Sequence, residues 1–144
     1  MSDFYLNPGL AQPASTQLDE AYWQGLREND LRVQRCDACR GWQWGPEWIC
    51  HHCHADTLSF ESIPAHGEIY SYERVWHPVH PALKDQGPYL VVLVELAHAG
   101  HIRMIGNLLG DPHQEVDIGA AVVGDFEHHE DVETPYSLLH WRIA

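Results

Sequence analysis

The chain has 144 residues, 44% of them hydrophobic, which suits one modest core with a small attached module and excludes a large multidomain enzyme. Twenty-one acids against eight Lys and Arg leave a formal net charge of −13. Between Arg103 and Arg142 there is no Lys or Arg, while Asp111, Glu115, Asp117, Asp125, Glu127, Glu130, Asp131 and Glu133 all lie there. Nucleic-acid affinity rests on neutralising phosphates, so this distribution opposes a nucleic-acid partner, and twelve His add positive charge only in mild acid.

No stretch approaches the roughly 20 apolar residues that cross a bilayer, so no membrane partner is expected. Met1-Ser2-Asp3-Phe4-Tyr5 has neither a basic start nor an apolar signal core, and a cytoplasmic location is expected. In a reducing cytosol four cysteines in two close pairs favour metal thiolates over disulfides.

In chain order, residues 1–15 hold Pro8, Gly9, Pro13 and Ser15 without an apolar period and read as an arm. Thr16, with Asp19 three residues on, resembles a capping box, and Leu18, Tyr22 and Leu26 recur at helical spacing, which predicts a short amphipathic helix over 17–28. Its Tyr22, Trp23 and Leu26 face covers either the rest of the chain or a partner. Leu31 to Arg35 alternates like a strand into the first cysteine pair, and Leu58 to Ile63 alternates after the second, so strand, knuckle, loop, knuckle and return strand make a zinc ribbon.

Beyond Pro64 and Gly67 come five strand-like runs: 68–76, 89–96, 102–109, 120–126 and 136–143. The first is expected to carry Ile69, Ser71, Glu73 and Val75 on one face and Tyr70, Tyr72 and Trp76 on the other. The second, nearly all apolar, suits a strand buried on both faces. His98-Ala99-Gly100-His101 reads as a hairpin turn, and a helical turn is expected at 113–117 before Gly119. The fold class is therefore mainly β: a short N-terminal helix, a rubredoxin-like ribbon and a five-stranded OB-fold barrel, with a sandwich as the alternative. The expected domains are an arm and helix over 1–30, a ribbon over 31–64 and an OB-fold over 65–144.

Cys36, Cys39, Cys50 and Cys53 follow C-x2-C-x10-C-x2-C. Two intervening residues let a tight knuckle aim both thiolates at one ion, and four thiolates fill the tetrahedral shell of zinc, leaving no position for a reactive water. The site is read as structural zinc; a rubredoxin-like iron would use similar ligands. His51, His52 and His54 crowd the second knuckle as competing ligands or exposed loop residues. There is no G-x-S-x-G, no phosphate-cradling G-x-x-x-x-G-K-[ST], no G-x-G-x-x-G and no H-E-x-x-H, so catalytic residues are expected to be absent. His77 and His80 form the remaining suggestive pair, held by Pro78 and Pro81 in an extended loop, and Glu130 and Asp131 read as a charged turn.

Several features in this order resemble one known family. They are Tyr22-Trp23-Gln24-Gly25-Leu26, the pair Cys36/Cys39, Gln43 and Pro46, the pair Cys50/Cys53, Gly67-Glu68-Ile69-Tyr70-Ser71, Gly87-Pro88-Tyr89 before the apolar strand, and Ile118-Gly119. Over roughly residues 20–144 the sequence is similar to the zinc-ribbon/OB-fold proteins that accompany thiolase-like acyl-CoA enzymes. The resemblance implies a non-catalytic accessory subunit in a heteromer, of two-fold symmetry, with a thiolase-like acyltransferase or aldolase. Enoyl-CoA hydratase is the alternative partner. It also implies that the OB-fold contacts acyl-CoA while the ribbon and helix contact the partner. The family's glycine after each knuckle is replaced by Arg40 and His54, and Gly45-Pro46-Glu47 stands where Pro-Pro-Arg is expected; Arg40 is expected to adopt a left-handed conformation.

Coenzyme A is polyanionic, so its phosphates need local cations. Lys84, in the loop between Pro81 and Pro88, is the first candidate, with Arg74 and Arg103 beside it; the partner enzyme is the other source of charge. A reading from another class, a single-stranded nucleic-acid binder stacking bases on Trp42, Trp44, Trp48 and Trp76, is opposed by the charge. A third is an enzyme built on His77 and His80. Six Trp suggest that some of Trp23, Trp42, Trp44 and Trp48 fill pockets on another chain, the alternative being packing between ribbon and barrel.

Overall fold

A computed structural model describes residues 13–144; most of the expected arm over 1–15 lies outside them. Helix α1 (Glu20–Arg27) starts later than its periodicity predicts, after a turn over 17–19. The expected capping box forms in one direction only. The Asp19 carboxylate accepts the Thr16 N–H at 2.7 Å and the Thr16 hydroxyl at 3.0 Å, and Asp19 rather than Thr16 is the residue before the helix. Burial pulls the Asp19 carboxyl upward, but the Thr16 backbone N–H and the Trp23 side chain hold it below the usual carboxylate range.

Three strands form the ribbon: β1 (Leu31–Cys36), β2 (Trp42–Gln43) and β3 (Leu58–Ile63), antiparallel in the order β2-β1-β3. Leu31 and Val33 alternate inward against Leu26 of α1 and Ile63 of β3, so this small sheet shares its apolar face with the helix.

Five strands then close a barrel: β4 (His66–Val75), β5 (Tyr89–Leu96), β6 (Ile102–Leu108), β7 (Ala121–His129) and β8 (Tyr136–Ile143), in the order β4-β5-β6-β8-β7. Every pairing is antiparallel except β6 with β8, joined at Leu108 and Trp141. This is the OB-fold arrangement, and closure excludes the sandwich. Leu90, Val92, Val94, Leu96, Leu108 and Trp141 are fully buried and fill the interior. In β5 only these alternate residues are fully buried; Tyr89, Val91, Leu93 and Glu95 on the outer face are half-buried, which corrects the expectation of burial on both faces.

The alternation in β4 also departs from the sequence reading. A bulge between Ile69 and Ser71 shifts the register, so Ile69 opposes Val94, Tyr72 opposes Val92 and Arg74 opposes Leu90. Ile69, Tyr72 and Arg74 therefore share the inward direction, and Ser71 and Glu73 face outward with Leu93 and Val91. No helical turn forms at 113–117. A turn lies over 112–113 and residues 114–117 have no regular structure; Arg74 at the barrel end donates to carbonyls here, Nε to Pro112 O at 2.9 Å and Nη2 to Gln114 O.

Ribbon, helix and barrel pack together. Tyr22 contacts Trp23 edge-on at 5.0 Å and Trp44 at 4.6 Å between centroids. Trp42 lies against Gly100, whose φ of 66° is left-handed and where a Cβ would fall 3.2 Å from the indole. The Ala65 carbonyl accepts the Gly124 N–H at 2.7 Å where the chain passes from ribbon to barrel. Trp23, Trp42 and Trp44 are thus packed against their own chain, as the alternative reading had it, whereas Trp48 stays 65% exposed.

Candidate metal centre

Each cysteine pair sits on a turn of the same design. In the first, Arg40 N–H donates to Cys36 O at 3.0 Å and Cys36 N–H to Gly41 O at 2.9 Å. In the second, His54 N–H donates to Cys50 O at 3.1 Å and Cys50 N–H to Ala55 O at 2.9 Å. The residue after each second cysteine is left-handed, Arg40 with φ 63° and His54 with φ 62°. Each carries about 1 kcal/mol of strain that glycine would avoid, small beside a set of metal bonds.

The turns bring all four Sγ atoms within 4.8 Å of one another, with Cys36 and Cys53 at 3.7 Å and Cys39 and Cys50 at 3.6 Å. Zinc bonded at about 2.3 Å to four sulfurs in a tetrahedron has edges of about 3.8 Å, so the four cysteines fit the ion. Backbone N–H groups of Cys39, Gly41 and His52 point at the sulfurs of Cys36, Cys39 and Cys50 at 3.4, 3.4 and 3.3 Å. Such donors stabilise thiolate charge; the Cys53 backbone N–H is the main influence that lowers Cys50 to about 6. Cys36 and Cys50 are buried and Cys39 and Cys53 exposed.

Behind the cysteines lies a pair of buried amides that sequence reasoning did not single out as a unit. Gln43 Nε2 donates to Gln34 Oε1 at 2.6 Å; Gln34 Nε2 donates to Glu47 O at 2.9 Å, and the same Oε1 accepts Glu47 N–H at 3.0 Å. Gln43 Oε1 accepts His51 N–H at 2.9 Å. The loop between the knuckles is therefore fixed to β1 and β2 through glutamines. Alternation gave no signal for it, since Gln34 falls out of phase with Leu31 and Val33 and β2 is only two residues long. The histidines here are not ligands: among the described residues the metal-competent group holds cysteines alone, and His52 Nε2 lies 3.1 Å from Trp42 O.

The three cations do not converge as the cysteines do. Arg74 is engaged with the carbonyls of the loop before β7, and its guanidinium lies 5.6 Å from the Trp76 ring. Arg103 donates to Glu95 at 3.0 Å and stacks 3.5 Å over Tyr70 on the outer face of the barrel. Lys84 is exposed, directly after a 3-10 turn over Pro81–Leu83. His80 caps that turn, its Nδ1 accepting the Ala82 N–H at 3.1 Å. Among the described residues no helix is long and apolar enough to cross a membrane.

Residues 23–59 match the family described as ChsH2, rubredoxin-like zinc ribbon domain, and residues 61–127 match ChsH2, C-terminal OB-fold domain. A solved structure of an Ltp2-ChsH2(DUF35) aldolase contains a chain 31% identical, with TM-score 0.77, covering 92% of this chain and 98% of that one. The chain belongs to the ChsH2 family. A DUF35-family protein of unknown function from Sulfolobus solfataricus shares the ChsH2 fold at 16% identity, with TM-score 0.59, over 89% of this chain and 86% of its own. The probable enoyl-CoA hydratase alpha subunit of Thermomonospora curvata is 35% identical over 109 residues, 75% of this chain. This ChsH2-family chain spans 33% of that relative's length.

Proposed function

We propose that the chain is a non-catalytic accessory subunit of a thiolase-like acyl-CoA aldolase or acyltransferase complex, stabilising the catalytic subunit and helping to bind the acyl-CoA. The observation that carries this reading is the match, along nearly its whole length, to a ChsH2 chain from an Ltp2-ChsH2 aldolase. A saturated tetrathiolate agrees with it, since zinc held by Cys36, Cys39, Cys50 and Cys53 has no open position and supplies cross-linking alone.

Two apolar hollows on the barrel exterior meet at Ile105, which is 72% exposed. One, of about 330 Å³, lies between α1, Trp44 and strands β6 and β8; the other runs over Val91 and Leu93 toward β4. In the proposed complex this track faces the acyl-CoA and the catalytic subunit. Lys84 is the proposed phosphate contact; Arg74 and Arg103 are weaker candidates because carbonyls and Glu95 already engage them. The catalytic subunit performs the carbon–carbon chemistry.

A subunit of an enoyl-CoA hydratase is the second reading, supported by the 35% identity to the Thermomonospora curvata protein. Co-expression with a thiolase-like candidate tests the first: a complex on gel filtration, with turnover only when both chains are present, is the expected result. A catalytic subunit that is soluble and fully active alone and forms no complex overturns it. Ile105→Asp is expected to weaken the complex at least tenfold without changing zinc content.

A further inference from the structure

Helix α1 lies over the outer face of β7 and β8, and beneath it is an ionisable cluster that the metal centre does not use and of which His140 alone lines the apolar hollow beside Ile105. The Glu127 side chain is only 5% exposed, and each of its oxygens has its own imidazole. Oε1 lies 2.5 Å from His129 Nε2, and Oε2 lies 2.6 Å from His140 Nε2. Strand register builds the cluster: Glu127 opposes Leu138, so His129 follows two residues along its own strand and His140 two residues along the neighbour, all on one face.

Among the described residues, the other charged and titratable groups on that face are engaged as follows. Asp125, the next outward residue of β7, holds Arg142 of β8 at 2.5 Å. Tyr136 of β8 stacks on His129 at 4.7 Å, and burial, together with the Glu127 charge, pushes its phenol up. From α1, Glu20 and Arg27 reach the edge of the same face, where they line a hollow with Trp23 and Tyr136. Tyr22 and His140 line the adjoining cleft, and burial pushes the Tyr22 phenol up as well. From the other side of β7, His128 lies 2.7 Å from Ser137 Oγ and 2.9 Å from Asn29 Oδ1, tying this strand to the residues that close α1.

A carboxylate removed from water needs a compensating positive charge as well as hydrogen-bond donors. Arg142 is committed to Asp125, and the groups in direct contact with Glu127 are imidazoles, whose charge is set by a proton. We propose that Glu127, His129 and His140 form a proton-dependent clasp, in which one proton bound to the imidazole pair neutralises Glu127 and seats α1 on the barrel. As pH rises through the range where imidazole loses its proton, the buried cluster becomes net negative and the hold on the helix weakens. Because α1 also packs on β1, the same proton bears on how the ribbon is held.

Hydrogen exchange of the α1 amides in the full, zinc-loaded chain, corrected for intrinsic rates, tests this. Protection is expected to fall about tenfold from pH 6 to pH 8, the size of one charge-assisted hydrogen bond, and to become independent of pH over that range in Glu127→Gln. The double variant His129→Gln/His140→Gln keeps an N–H donor at each position and loses both titrating imidazoles, so it too is expected to flatten the profile. A wild-type profile that is already flat, or a pH dependence that persists in either variant, overturns the proposal.

Discussion

The ribbon and the barrel reach order by different routes. The ribbon buries few large side chains of its own, and its loops are fixed by four sulfurs and two buried glutamines. The barrel is filled instead by Trp141, Leu90, Val94 and Leu108, and strand pairing closes it. One module is thus held by a few directional bonds and the other by many weak contacts, so each should fail under a different perturbation.

Removing a sulfur should have the largest effect. Cys50→Ser is expected to abolish stoichiometric zinc, read by elemental analysis. Hydrogen exchange should show β1 to β3 unprotected while the barrel strands stay protected, since zinc binding supplies about 10–16 kcal/mol in small ribbons and fingers. Acid should do the same by protonating the thiolates, releasing zinc at a pH where the barrel is still folded.

The converse experiment is Trp141→Ala, expected to lower stability by about 3–5 kcal/mol in denaturant melts through the cavity it leaves, with zinc content unchanged below the transition. A smaller loss, about 1–3 kcal/mol, is expected from Gly106→Ala, because a Cβ there would lie 2.9 Å from the Trp141 indole. Gln43→Leu, which strands the His51 N–H and removes one of the two donors to Gln34 Oε1, should cost about 1–3 kcal/mol and loosen the inter-knuckle loop in hydrogen exchange.

The smallest effect belongs to the surface of the ribbon. Arg35 first, then Arg40, hold the Glu61 carboxyl below its usual range. That contribution is complete above the ordinary carboxylate pKa and is lost as pH falls through the lower folded value. Glu61→Gln should therefore remove a slight acid-side dependence of the melting temperature, and only at low salt.

The same division explains what the sequence disclosed. The metal centre was legible because C-x2-C-x10-C-x2-C is local: spacing alone aims the sulfurs, and the left-handed Arg40 follows from the knuckle. The five barrel strands were visible as short strand-like runs, one of them nearly all apolar, and turn residues marked their ends. Faces and caps were less legible. The bulge at Tyr70 inverted the expected sides of β4, since one extra residue switches the alternation and nothing in 68–76 announces it. The segment over 113–117 was read as helical, but Arg74, some forty residues earlier, captures its carbonyls instead. The Glu127 cluster depends on the register between β7 and β8, which no local pattern encodes.

The latch formed by Arg74 has a broader consequence. With Leu90 and Val92 packed inside and the guanidinium bound to Pro112 and Gln114 across one end, the barrel is stoppered and cannot serve as a tunnel. In the proposed complex the acyl-CoA is therefore expected along the outer wall, on a surface that the catalytic subunit completes.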